Sequence, residues 1–512
     1  MQRGQPHRVR TFAVAILLAV AGALLLARPA RAGSYVVTEC SSISAAVPDA
    51  SWERSSDHYR ARSRCGTDAG LQIHHEAAET GLWHYGAWVW RAPAGAVFTS
   101  VQANASLTSQ AGHRGQLVAT RPSGEAVEFG AEHEDFRVHS VAGEFAQFHA
   151  WLRCVAAQPC GRAGGDSAHA YLRGIYLRTE DRTAPVVSPT GGSLLEDAVV
   201  RGARGLAFEA TDAGAGVRRV TVEANGQMLV DDARNCALAA GFATALRPCP
   251  AATSEAAAVP TAAGAFATGP NTVSACAEDL ALDGAPNRTC ARFEIWVDNA
   301  CPSSAAPAAT GLSARLPRGA AGSAPVRSDR RATIRGRLAG VGGGAIVCVL
   351  TRDAVAWSPV VVAAVTATEP DGAYEVQLPA GPNRAVYVHQ AVGDHVLARH
   401  GLALHASARP SLEVRPQTGA RNGERLRFSG ILPGPACGAR LVKIQAQIGK
   451  HRWQAFRTDR SDRECRFAAR YKLRATRDAR AYRFRALVPR QEGYPYERGR
   501  SARVKVKVAR RR

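Results

Sequence analysis

Residues 219–230, RVTVEANGQMLV, alternate apolar and polar side chains on either side of Asn225-Gly226. A period of two places every second side chain on one face, as a strand does and a helix does not. Asn-Gly between two such runs suits the left-handed backbone angles of a two-residue hairpin. The alternation returns in ARFEIWVD (291–298), VYVHQAV (386–392) and RVKVKV (503–508). Gly, Pro, Asn and Asp separate these runs, and helical periodicity is almost absent beyond residue 32. The chain therefore reads as all-β, a tandem series of β-sandwiches.

The first ten residues, MQRGQPHRVR, carry three Arg; an apolar run over 12–27 follows, then Ala30-Arg31-Ala32. That order is the layout of a secretory signal peptide over residues 1–32. The run is shorter than the ~20 residues of a spanning helix. No later segment is apolar enough to span, so a secreted or extracellular protein is expected. The 12 Cys are an even number, and Cys-x-x-Cys is missing. In an exported chain this favours disulfides over metal or redox motifs. Proximity suggests Cys40 with Cys65, Cys154 with Cys160, Cys236 with Cys249, Cys276 with Cys290, and Cys437 with Cys465. Cys301 and Cys348 are left to bridge the linker to the third segment.

Composition shifts place the joints. TEDRTAPVVSPTGG (179–192) and LHASARPSLEVRP (404–416) are Pro-rich, and 301–325 is rich in Ala, Pro and Ser, as a linker would be. The resulting modules are 33–180, 185–300, 326–408 and 409–512, each large enough for a sandwich. The net charge of +22 is unevenly spread: residues 415–512 hold 28 Lys and Arg against 7 Asp and Glu.

FEATDAGAGVRRVTVEANGQ and TVSACAEDLALDGAPNRTCARFEIWVDNACP give the second module a resemblance to bacterial Ig-like domains. The third resembles the carboxypeptidase-regulatory, transthyretin-like sandwich through VTATEPDGAYEVQLPAGPNRAVYV, with Thr368, Asp371, Gly372, Tyr374, Leu378 and Gly381 at the motif positions. The fourth resembles an Ig-like or fibronectin-type sandwich, and the first is similar to jelly-roll lectin-like modules through YGAWVWRAPAGAVFTSVQANASL. As a whole the chain resembles multi-domain secreted proteins of unassigned function from GC-rich Gram-positive bacteria. The resemblance implies architecture and exposure, with accessory modules that carry no catalytic zinc.

Two surfaces stand out as candidate sites. GLWHYGAWVW (81–90) packs Trp83, Tyr85, Trp88 and Trp90 into ten residues. On a sandwich face such rings stack on sugars; inside a sandwich they fill the core. At the other end, Arg483 and Arg485 in one run and Arg503, Lys505 and Lys507 in another would face solvent opposite their apolar neighbours, making a cationic sheet face. Outside a cell the partners for that face are anionic wall polymers, and nucleic acid is not expected. HHEAAE (74–79) lacks the second His of a zinc helix motif, and HED (133–135) reads as solvated loop residues. Glu76, Glu79, Glu132, Glu134 and Asp135 leave a glycoside hydrolase or lyase in 33–180 as an alternative. A purely structural surface protein is the other. No cofactor or catalytic residue is assigned. The favoured expectation is a non-catalytic protein whose first module binds a ligand such as carbohydrate and whose last module binds anionic wall polymer.

Overall fold

The computed structural model describes residues 33–45, 49–76, 79–161, 168–262, 264–316, 326–448, 451–474 and 479–509. The signal-peptide reading of 1–32 lies outside them, as do 317–325 of the expected linker and the three terminal Arg. Among the described residues all regular structure is strand except one helical turn, Ser193–Glu196. None of their helices is long and apolar enough to cross a membrane. The chain forms two compact units. Within the described residues one draws on 33–192, 205–257 and 272–293, and the other on 193–204, 258–271 and 294–509.

In the first unit, one sheet orders His133–Phe145, Ala96–Leu107, Ala170–Asp181, Gly33–Glu39, Phe242–Ala243 and Leu238–Ala239, with Tyr59–Arg64 and Gly70–His75 added beside it. A second sheet orders Ala126–Glu128, His113–Thr120, Gln147–Cys154, Tyr85–Arg91 and Ser51–Arg54. Their inner faces share one core that holds Trp90, Phe98, Phe145 and Phe148 fully buried. The pairing of Val37 with Ala243 brings the Cys236–Cys249 loop onto this first sheet, and Tyr35 donates its hydroxyl to Leu246 O at 2.8 Å. The loop thus packs outside the 185–300 module in which its sequence lies.

The Asn225-Gly226 hairpin forms between Val217–Ala224 and Gln227–Ala233, and both turn residues have positive φ, 51° and 84°. In the second unit, Gly311–Arg315 pairs with Ala332–Ala339. Part of the expected linker is thus an edge strand: its Ala and Pro content hides a run, Leu312 to Ala314, that packs on the neighbouring core. Asp371 Oδ1 accepts the Ala373 N–H at 2.9 Å across the turn at Gly372, and Tyr374 then enters that core, donating its hydroxyl to Ser313 O at 2.7 Å. The last sandwich pairs a sheet of Glu413–Arg415, Arg425–Ile431 and Arg466–Lys472 with one ordered Ala420–Arg421, Val504–Ala509, Arg480–Val488, Leu441–Ile448 and Arg452–Arg460.

Six disulfides join Cys40–Cys65, Cys154–Cys160, Cys236–Cys249, Cys276–Cys290, Cys301–Cys348 and Cys437–Cys465, with no free Cys among the described residues. Cys301–Cys348 closes a loop of 47 residues and Cys154–Cys160 one of only 6. In the loop-entropy picture their removal costs about 4 and about 2 kcal/mol respectively. Urea melts of the double Cys→Ser variants should show that order.

Candidate functional site

Register decides which aromatic rings meet solvent. Residues opposite one another in an antiparallel pair share a face. Phe148 lies opposite Trp90 and Ala150 opposite Trp88, and all four are buried. Trp90 stacks on Phe148 at 4.8 Å and donates its indole N–H to Glu39 Oε2 at 2.6 Å. Trp88 packs on Trp52 at 5.7 Å. These two Trp belong to the core and offer no ring face to a ligand, because the even positions of Tyr85–Arg91 point inward.

The opposite face carries Trp151 and Arg153, with Tyr85 across from Arg153. Tyr85 stacks on Trp151 at 5.6 Å. Trp83 precedes the strand, at φ 70°, and is 60% exposed. That turn swings its ring to the Arg153 guanidinium, which stands 5.0 Å from Trp83 and 5.2 Å from Trp151. The result is a row of Trp83, Arg153, Trp151 and Tyr85. Beside it, Glu128 accepts from Gln116 at 2.8 Å and pairs with Arg114 at 2.9 Å, and Arg114 also holds Glu132 at 3.1 Å. The indole N–H of Trp151 and the Nε–H of Arg153 are buried beneath this row and make no hydrogen bond. Sequence reading found Trp83 and Tyr85 but missed Trp151 and Arg153, which come from a strand some 60 residues away.

Of the carboxylates considered for hydrolysis, Glu76 and Glu132 are held by ion pairs. Glu76 takes Arg60 at 3.1 Å and His74 at 3.0 Å, and the His74 hydrogen bond leads in holding its carboxyl below the usual range. His74 and His75 end a strand, Gly70–His75, and not a helix. His133 Nδ1 accepts the Asp135 N–H at 3.1 Å, a local cap.

The cationic candidates form one surface in the last sandwich. Arg483 lies opposite Lys505, and Ala481 opposite Lys507. These face outward, while Tyr482 and Phe484 pack on the core. Arg485 is a correction. It is 9% exposed, its Nε–H donates to Gln445 Oε1 at 2.7 Å, and the Trp453 ring covers its guanidinium at 4.1 Å. It underlies the surface and does not reach out from it. Arg503 stands on the same indole at 5.8 Å. Burial, followed by Arg500, Arg503 and Arg498, pulls the Arg485 pKa down. Among the described residues, Arg483, Arg503, Lys505 and Lys507 have no carboxylate partner. The first unit contrasts with this: Arg60, Arg114, Arg182, Arg219 and Arg288 each hold an acid.

A third cluster was not legible in the sequence. Asp298 and His389 are both fully buried, with Asp298 Oδ2 2.8 Å from His389 Nδ1. His389 Nε2 lies 2.9 Å from His400 Nε2. An ionised carboxylate only accepts, so Nδ1 of His389 carries the proton; Nε2 then accepts, and His400 donates. Trp296 sits 4.8 Å from each ring, edge-on to His389 and tilted to His400. Asp298, Cys301 and His389 bring an oxygen, a sulfur and a nitrogen within 4.8 Å of one another, close enough for a metal ion. Cys301 is bonded to Cys348, however, and a disulfide sulfur is not the thiolate such a site requires. The cluster is structural: it fixes the segment after Val297 to the sheet bearing His389.

No family model matches this chain, and no curated protein matches it. Among solved structures it is similar to one described as "Crystal structure of tetra-tandem repeat in extending region of large adhesion protein", at 12% identity over 84% of this chain and 96% of that one. The TM-score is 0.20.

Proposed function

We propose that this protein is a non-catalytic binding protein working outside the plasma membrane, and that its C-terminal sandwich associates with an anionic polymer of the cell wall. The observation that carries the reading is the outer face bearing Arg483, Arg503, Lys505 and Lys507, whose charges no acid of the described residues neutralises. Several Arg of the first unit, among them Arg60, Arg114, Arg182, Arg219 and Arg288, are by contrast each paired with an acid. Unpaired cations on a sheet face attract a polyanion over a Debye length of ~10 Å at moderate salt. A secreted four-module architecture, divided as the composition shifts suggest, would present that face to the wall.

The full chain carrying Arg483→Glu, Lys505→Glu and Lys507→Glu tests this. Binding to poly(glycerol phosphate) should weaken about 100-fold at low ionic strength, with the gap nearly closing at high salt. Each substitution is exposed and should shift stability by no more than about 0.5 kcal/mol. Unchanged binding by a folded triple variant would refute the proposal.

The row of Trp83, Arg153, Trp151 and Tyr85 favours a second binding face for carbohydrate on the N-terminal sandwich. The exposed Trp83 ring and the half-buried Trp151 and Tyr85 rings beside it offer stacking surface for a sugar. In affinity electrophoresis through a panel of wall polysaccharides, Trp83→Ala and Trp151→Ala should abolish the retardation the wild type shows. Equal mobility of variants and wild type in every gel would remove this face from the account.

A further inference from the structure

The last sandwich is open at one end. Leu441–Ile448 and Arg452–Arg460 pair with a bulge between Ile444 and Gln445, and Phe456 is the residue without an opposite number. Its ring turns inward, reaching Phe428 at 5.5 Å, Phe484 at 5.7 Å and Tyr471 at 4.8 Å. Beside these rings lies a cavity of about 310 Å³ bounded by Ala446, Ile448, Phe456, Tyr471, Leu473 and Arg474. Ile448 is 46% exposed and Tyr471 38%, so apolar side chains reach the mouth, where Gln447 and Gln454 also line the cavity.

Among the described residues, the charge at the mouth has a single sign. Arg474 lines the cavity, Arg452 lies opposite Ile448, and the Arg480 guanidinium stands 6.0 Å from the Tyr482 ring on the cavity wall. Among the described residues no carboxylate lines it, and none of the three Arg has an acid partner. An apolar hole at the small end of the ligand-pocket range takes a hydrocarbon tail. Guanidinium groups around its entrance take a carboxylate, which they can hold through two parallel hydrogen bonds.

We propose that this cavity binds a single-chain lipid with a carboxylate head, a fatty acid, tail inward and head among Arg452, Arg474 and Arg480. The site lies between the sheets and not on the outer cationic face, so the proposal goes beyond polymer binding and can fail without it. Calorimetry of the full chain with octanoate, decanoate and the neutral decanol tests it. Decanoate should bind at one per chain, about fourfold tighter for each methylene added over octanoate. Decanol should bind at least tenfold more weakly than decanoate. Arg474→Glu should cost decanoate about tenfold and leave decanol unchanged. Ala446→Trp, which fills the cavity, should abolish decanoate binding and leave poly(glycerol phosphate) binding intact. Tyr471→Ala serves as a milder variant at the partly exposed mouth and should weaken decanoate severalfold. Absence of saturable decanoate binding, or binding indifferent to Arg474→Glu and to both cavity variants, would overturn the assignment.

Discussion

Replacing His389 with Ala should destabilise the second unit by about 3–5 kcal/mol, because it leaves the buried Asp298 carboxylate without its cation-capable partner. Asp298 Oδ1 keeps the N–H groups of Ala300 at 3.2 Å and Cys301 at 3.0 Å, but Oδ2 loses its donor. Asp298→Ala should cost a similar amount, since His389 Nδ1–H would then be buried without an acceptor. Urea denaturation of the full chain, followed through Trp296 fluorescence against the wild type, reads both effects. The cluster also carries a pH dependence. Burial, then proximity to His389, lowers the His400 pKa to about 4. An unfolded His takes up its proton near pH 6.5 and the folded one only near 4, so the unfolded state binds more protons across that window. Stability from this group is therefore complete above pH 6.5 and is lost as pH falls towards 4. The His389 hydrogen bond helps hold Asp298 below its usual range despite burial, and acid removes that contribution too, at lower pH. His400→Gln should flatten the slope between pH 6.5 and 4; an unaltered slope would show that His400 does not produce it.

The second large effect lies in the first sandwich. Trp90→Ala removes a fully buried indole stacked on Phe148, a hole that costs about 3–5 kcal/mol. It also strips Glu39 Oε2 of its indole donor, adding about 1–3 kcal/mol. Glu39 is a buried carboxyl whose pKa burial raises to about 7, even with Trp90 and Asp49 N–H donating to it. Above pH 4.5 the unfolded chain releases this proton while the folded chain keeps it, so this group's contribution to stability declines as pH rises to about 7. Trp90→Phe, which fills most of the hole but lacks the N–H, should extend that decline to higher pH. Trp83→Ala, at the 60% exposed ring, should change stability by less than about 0.5 kcal/mol. Equal losses at Trp83 and Trp90 would contradict the division between core and outer face.

The contrast between these two Trp shows what the sequence could and could not convey. Period-two alternation correctly put Trp88 and Trp90 on one face, and Arg483 with Lys505 on another, because strand geometry is local. Which face is buried depends on the opposing sheet, and no local pattern reports it. The Asn225-Gly226 hairpin was legible because its turn angles are a property of two residues. Five of the six disulfides close loops of 28 residues or fewer, where proximity in sequence favours pairing, and Cys301–Cys348, which spans 47, follows only by elimination. Long-range juxtapositions left no trace. Asp298 and His389 are 91 positions apart, and nothing in either neighbourhood marks the other. Trp453, which covers Arg485, comes from a third strand of its sheet. Gly311–Arg315 was masked by Ala and Pro on both sides, which made a strand resemble a linker.

The most direct test of the account is the salt dependence of full-chain binding to poly(glycerol phosphate). If the outward Arg and Lys side chains of the last sandwich do the binding, the logarithm of affinity should fall steadily as salt rises from about 50 to about 500 mM, losing at least tenfold. Affinity that holds constant across that range, or no binding at its lower end, would contradict the assignment of that face to an anionic polymer.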